Sequence, residues 1–244
     1  MIVEGKNPVK ELLRSDATVE KLYVLKTADP QIAFIVSRAL EKKIKIIYAD
    51  KELLGKLTVS GKHQGALAIT TEFRYAEIAD ILEAAKKKNK PRLILVLDGI
   101  EDPHNLGAVI RAAECAGADG IIIGKHRAVG VTDTVVKISA GASAHTLIAR
   151  VTNINDAIRT LKDEFINIVA ADIDGESVYG GGPSLKGDIA LVIGGENGGV
   201  RELTKKLCDR VVSIPMFGKV NSLNASVACG IILYEILRQT GGLG

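Results

Sequence analysis

The chain has no tryptophan, 4% aromatic residues and three cysteines in 244 residues. With so few rings, its core must be packed from Ile, Leu, Val and Ala. Cys115, Cys208 and Cys229 are odd in number, far apart and set in apolar, helix-like surroundings. This argues against a disulfide framework and for buried, reduced thiols. No apolar run approaches the roughly 20 residues that span a bilayer. The N-terminal "MIVEGKNPVKELL" is charged from its fourth residue and carries no signal-peptide core. A cytoplasmic setting without membrane attachment is therefore expected. Neither sign of charge dominates: 32 Lys and Arg against 29 Asp and Glu give a net charge of +3, which permits an RNA partner without demanding one.

Several chemical signatures are missing too. No G-x-x-x-x-G-K-[ST] occurs, which excludes a P-loop NTPase, and no G-x-G-x-x-G follows the first strand of the C-terminal α/β pattern. No Cys/His pairs have zinc spacing, and His63, His104, His126 and His145 are scattered. There is no G-x-S-x-G elbow. Metal and acyl-transfer chemistry are not expected.

What is present is an ordinary globular composition, 47% hydrophobic and 25% charged, with alternating strand and helix patterns. Over residues 1–74, "NPVKELLRS" and "QIAFIVSRALEKK" read as helices, and "VEKLYVL", "IKIIYA" and "GALAITTEF" as strands. Residues 75–91 begin with a stretch that could be a short helix and run into the charged "KKKNKPR", broken by Pro91, which reads as a solvated linker or, second, as a phosphate contact. From residue 92 to 244 the pattern is βαβ. "LILVLD" is a continuous apolar strand up to its closing Asp, of the kind buried on both faces of a parallel sheet, followed by "GIIIG", "INIVAAD", "IALVIGG" and "RVVSIP" with helices between and after them.

In open parallel sheets, ligands collect beyond the carboxyl ends of the strands. Three loops there are unusually polar: "GIEDPHNLG", "GENGGVRE" and "MFGKVNSLNAS". Each has a plain structural explanation, namely Asn105 as an N-cap, glycines supplying positive φ, and Asn224 capping the last helix. Their coincidence on one sheet edge favours a shared site.

"DPHNLGAVIRAAECAG", "LVIGGENGGVRE" and "IPMFGKVNSLNASVACGIILYE" resemble, in order, the three motifs of the SpoU (TrmH-like) branch of the SPOUT RNA methyltransferases, over residues 92–240. "VEGKNPVKELL" and "HQGALA" extend the resemblance to members carrying an RNA-binding module similar to small ribosomal proteins, and most to the bacterial type that 2′-O-methylates a guanosine of 23S rRNA.

The resemblance implies an α/β fold with a C-terminal trefoil knot, a homodimer joined through it, S-adenosyl-L-methionine as cofactor, and 23S rRNA or a large-subunit precursor as partner. It implies cofactor contacts at Gly194, Gly195, Ile214, Met216 and Leu223, mostly through backbone groups. Catalytic positions would be Asn105, Arg111, Glu196, Ser222 and Asn224. Of these, Arg111 would anchor a phosphate or stabilise the developing alkoxide, since its guanidinium is a fixed cation. Lys6, Arg14, Lys62 and His63 are candidate RNA contacts of the N-terminal module. The same chemistry on tRNA or another rRNA position, a non-catalytic ribosome-assembly factor, and a small-molecule transferase are the competing readings.

Overall fold

A computed structural model describes the chain except for residues 1, 15–17, 59–60, 72, 180–181, 183, 197 and 242–244. It divides into two units, residues 1–74 with 131–133, and the remainder from Tyr75.

The first unit runs β1 (Ile2–Glu4), α1 (Lys6–Arg14), β2 (Thr18–Leu25), α2 (Pro30–Glu41), β3 (Lys45–Ala49), α3 (Lys51–Leu57) and β4 (Ala66–Thr71). Its sheet has the order β1-β4-β2-β3, with β2 and β3 parallel and β4 antiparallel to β1 and β2. Val9 and Leu13 of α1 and Ile32, Ile35 and Ala39 of α2 repeat at helical spacing and bury against Leu22, Val24, Ala66 and Ala68 of the strands. Asp29 caps α2 and Pro30 opens it. The short β1 and α3 escape a reading by pattern, having too few residues to show a period. Two of the expected RNA contacts are engaged within this unit. Lys6 pairs with Asp29, whose carboxyl that bond holds below its ordinary value, and Arg14 bonds Glu11 at 2.7 Å.

The second unit runs α4 (Ile78–Lys86), β5 (Leu93–Asp98), α5 (Pro103–Cys115), β6 (Gly120–Gly124), α6 (Asp133–Ile138), β7 (Ile148–Val151), α7 (Ile154–Asp163), β8 (Asn167–Ser177), β9 (Ile189–Gly194), α8 (Glu202–Lys205), β10 (Arg210–Ser213) and α9 (Ala225–Thr240). The sheet is all parallel in the order β10-β8-β9-β5-β6-β7. Every residue of β5, β6 and β9 is buried, because helices cover both faces. One face carries Ile94, Val96, Ala190 and Val192 against Ile158 and Leu161 of α7. The alternate residues Leu95, Leu97, Leu191 and Ile193 point to the other face, where α5 and α9 pack on each other.

The segment expected to be a solvated linker is instead part of this unit. Ile81, Leu82 and Ala85 of α4 are buried in its core, and Ala76 bridges Ala149 of β7. Its basic run, residues 86–90, is exposed, and its lysines make ion pairs and hydrogen bonds at the surface. Lys86 pairs with Glu164, Lys87 with Glu83 and Lys88 with Asp119, and Lys90 donates to the carbonyl of Gly117. Arg92 grips Asp188 through Nε at 2.9 Å and Nη2 at 2.7 Å, and its backbone N–H donates to the same carboxylate at 2.7 Å. Lys86, Lys88, Lys90 and Arg92 thus tie the approach to β5 to the elements around it, while the Lys87–Glu83 pair stays within α4.

Burial pulls the Asp188 pKa upward, but the hydrogen bonds from Arg92 outweigh it and leave the value below the ordinary 3.8. A depressed carboxyl stabilises the fold above the unfolded value and loses that contribution as pH falls through the folded one. Asp188→Asn is therefore expected to lower the melting temperature at neutral pH and to flatten its decline below about pH 4. Melting curves of both proteins between pH 2 and 7 check this; parallel curves would exclude the pair from acid sensitivity.

The thiols are not all buried: Cys229 is, Cys208 is partly so and Cys115 is exposed. Burial pushes the pKa of both Cys208 and Cys229 up to about 12, which keeps them protonated. No described helix is long and apolar enough to cross a membrane.

Candidate active site

The carboxyl ends of β5 and β9 lie side by side, with Asp98 in register with Gly194. The loops leaving them meet there. Asp98 ends an otherwise apolar strand and its side chain is buried. Arg201, at the far end of the β9 loop, donates to it from Nε at 2.7 Å, from Nη2, and from its backbone N–H at 3.1 Å. That hydrogen-bonded pairing raises the pKa of Arg201. A carboxylate removed from water needs such a partner, and the forked guanidinium supplies it with fixed geometry.

Glycine is required where the loops cross. A Cβ on Gly194 would stand 2.0 Å from the carbonyl carbon of Gly199, and one on Gly195 2.1 Å from the carbonyl oxygen of Gly99. Gly195 also donates to the Asp98 carbonyl at 3.1 Å and accepts from the Gly199 N–H at 3.1 Å. The two positions serve backbone-to-backbone packing within the site.

Asp102, not Asn105, caps α5: its side chain accepts from the His104 N–H at 3.0 Å, with Pro103 as the first helical residue. The helix thus begins two residues before Asn105. That frees the Asn105 side chain, which is buried and donates from Nδ2 to Glu196 Oε1 at 2.5 Å. Asn224 completes the group, its Nδ2 donating to Asn105 Oδ1 at 2.9 Å and to Glu196 Oε1 at 3.4 Å. Its Oδ1 accepts from Ser226 and Val227, so the same residue caps α9. The capping role and the site role are two ends of one amide. Glu196 Oε1 receives both amides, while Oε2 makes no hydrogen bond with any described residue.

These three side chains come from three distant loops. The structure brings together Asn105, Glu196 and Asn224 and leaves Arg111 and Ser222 outside their hydrogen-bond network. Arg111 is exposed on α5 and forms no hydrogen bond or ion pair with a described residue. Six residues separate it from Asn105, about 9 Å along the axis and well round the helix. Ser222 is exposed in the loop before α9. Ile214 and Met216 are partly buried, and Leu223 is 39% exposed. Among the described residues, none of the backbone N–H or C=O groups of 214–223 is hydrogen-bonded to other backbone. A nucleoside held by main-chain groups needs such free donors and acceptors, so this loop fits the expected adenosine contacts.

A cleft of about 310 Å³ opens beside the triangle, lined by Asp98, Asn105, Arg127, Gly195, Glu196 and Arg201 among others. The Asp98–Arg201 clamp and Arg127 were not singled out from sequence. A charged residue closing an apolar strand was the available signal for Asp98, but nothing in the spacing marks its partner.

Replacing Glu196 by Gln keeps the shape but puts an amide opposite two amide donors. Glu196→Gln is expected to lower the turnover rate about a hundredfold, in the range lost with one positioned polar group. It should leave the melting temperature within a few degrees of the parent. Single-turnover rates beside thermal melts check it, and an unchanged rate would remove the carboxylate from the chemistry.

Comparison with known proteins adds independent findings. Residues 92–234 match the model of the SpoU rRNA Methylase family, and residues 2–76 that of an RNA 2′-O ribose methyltransferase substrate binding domain. The Bacillus subtilis protein YacO, assigned to the TrmH family of tRNA/rRNA methyltransferases, is 41% identical over 99% of this chain and 97% of its own. The Coxiella burnetii 23S rRNA (guanosine-2′-O-)-methyltransferase RlmB is 42% identical over 91% of this chain and 88% of its own. The crystal structure of the SpoU methyltransferase AviRb from Streptomyces viridochromogenes, in complex with AdoMet, superposes with a TM-score of 0.62 at 24% identity. That match covers 98% of this chain and 90% of the other.

Proposed function

We propose that this chain, which belongs to the SpoU rRNA methylase family, transfers a methyl group from S-adenosyl-L-methionine to a ribose 2′-hydroxyl of RNA, and that its target is a guanosine of 23S rRNA. The observation that carries the proposal is the Asn105–Glu196–Asn224 triangle, which ties all three polar loops together beside a cleft that the first two of them line. The name of the Coxiella relative supports the guanosine of 23S rRNA, and the substrate-binding module over residues 2–76 supports an RNA substrate.

When bound, the cofactor supplies an electrophilic methyl on a sulfonium sulfur. The backbone groups of Gly194, Ile214, Met216 and Leu223 would hold its nucleoside and amino-acid parts, with Gly195 keeping the loop crossing tight. The side chains have the task of orientation: they would place the 2′-hydroxyl against the methyl donor. Glu196 Oε2 would accept the hydrogen bond of the 2′-hydroxyl, and its proton as the methyl is taken up, while the two asparagines fix its carboxylate. Arg111 would stabilise the negative charge developing on that oxygen. Ser222 adds a donor to the substrate from the third loop.

Two copies pair across α9, where Val227 (49% exposed) and Tyr234 (45% exposed) leave apolar surface uncovered, and the C-terminal segment forms the knot that the family resemblance implies. The protein works in the cytoplasm, where its RNA is.

The test is transfer of labelled methyl to unmodified 23S rRNA, followed by alkaline hydrolysis. A 2′-O-methylated ribose resists cleavage, so label is expected in an uncleaved dinucleotide carrying guanosine. Label on a base would overturn the chemistry; label only on tRNA would overturn the target.

A further inference from the structure

A second cleft, of about 340 Å³, adjoins the first; Gly99, Arg127 and Arg201 line both. The two differ in charge. The first includes the carboxylates of Asp98, Glu101, Asp102 and Glu196 beside its two arginines. The second has no acidic residue in its lining and carries His126, Arg127 and Arg201. Four of its polar walls are already tied, while the side chains of His126, Thr152 and Arg127 hydrogen-bond no described residue, and of these three Arg127 alone is a permanent cation. Asn153 caps α7, Asn155 accepts from the Thr204 hydroxyl at 3.0 Å, and Arg201 is clamped on Asp98.

Arg127 is different. It stands in the loop after β6, exposed and without a hydrogen bond or ion pair to any described residue. Its backbone lies in the left-handed region, with φ of 50°. For a non-glycine residue that conformation is uncommon and costs about 1–2 kcal/mol. Glycine would occupy it more easily, yet the position carries a long cation at the boundary between the clefts. Such strain is concentrated at ligand-holding positions.

We propose that the second cleft takes a backbone phosphate of the RNA strand next to the reacting ribose, with Arg127 as its anchor. This rests on the RNA-methyltransferase reading above. A phosphodiester is repelled by the carboxylates of the first cleft and attracted by the cations of the second. The strand therefore enters with the ribose hydroxyl toward Glu196 and the neighbouring phosphate toward Arg127. Arg127 is a positioning residue: it sets where the strand lies and takes no part in the bond changes.

The experiment measures binding of unmodified 23S rRNA transcript at a series of KCl concentrations, together with calorimetric S-adenosyl-L-methionine binding. Each phosphate contact contributes roughly 0.7–0.9 to the slope of log affinity against log salt. Arg127→Ala is expected to lose about one such unit of slope and about tenfold in affinity at low salt, with cofactor affinity unchanged. Arg127→Lys should restore the slope. Arg127→Gly should behave as the alanine variant in binding yet melt no lower than the parent, since glycine relieves the backbone. A parental slope in the folded alanine or glycine variant would overturn the inference alone. Parent protein that binds no RNA would overturn the function and this inference together.

Discussion

Arg111→Ala is expected to lower the turnover rate of methyl transfer by about a hundred- to a thousandfold, the range lost when a single charge-stabilising donor is removed. The fold and the cofactor affinity should not move. Arg111 is exposed and has no partner among the described residues. Its removal creates no cavity and leaves no orphaned charge, so stability should change by no more than about 0.5 kcal/mol. The same exposure makes the side chain available to an anion that the protein does not itself supply. Lysine keeps the charge but not the planar fork, so Arg111→Lys should recover only part of the rate. Single-turnover assays with melting curves and cofactor titrations separate these expectations. Full activity in the alanine variant would take Arg111 out of the mechanism.

Gly195→Ala is expected to have an effect of similar size by another route. The added methyl would meet the Gly99 carbonyl oxygen at 2.1 Å and its carbon at 2.9 Å, and both atoms are backbone that cannot turn aside. The β5 and β9 loops must therefore separate. Overpacking of this kind costs about 1–3 kcal/mol, or several degrees of melting temperature in a chain of this length. The functional cost should exceed the structural one, because Glu196 is the next residue and moves with the loop. Its bonds to Asn105 and Asn224, at 2.5 and 3.4 Å, are the first to be lost. Loss of cofactor binding and at least a hundredfold loss of rate are expected, since misplacement by about 1 Å is enough for that. Gly218→Ala is the control. No atom lies within 4 Å of the added methyl and the backbone is not in the left-handed region, so it should melt like the parent.

How much of this was legible in the sequence depended on length and burial. The strands Leu93–Asp98 and Gly120–Gly124 match "LILVLD" and "GIIIG" to the residue, because a strand buried on both faces writes itself as an unbroken apolar run. The parallel sheet follows from the strand–helix alternation. The basic stretch 86–92 shows the other side: charge in a sequence reads as solvent and residues 86–91 are exposed, but only the fold shows which carboxylate or carbonyl each base meets. In "DPHNLG" the cap is Asp102, followed by Pro103 at the first helical position, a local signal; the bond of Asn105 to Glu196, ninety-one positions away, is not. Asn224 was legible as a cap, but its bond to Asn105 spans 119 positions and no local pattern encodes it. Arg127 carries no motif at all. Its interest comes from a backbone angle and from the charges of two neighbouring clefts, neither of which exists before the chain folds.

Titration calorimetry with S-adenosyl-L-methionine is the most direct single measurement of whether three separated loops build one cofactor site. Saturable binding at one site per chain or per pair of chains is expected in the parent protein, retained in Arg111→Ala and lost in Gly195→Ala. Absence of saturable heat in the folded parent protein, with and without 23S rRNA, would contradict it.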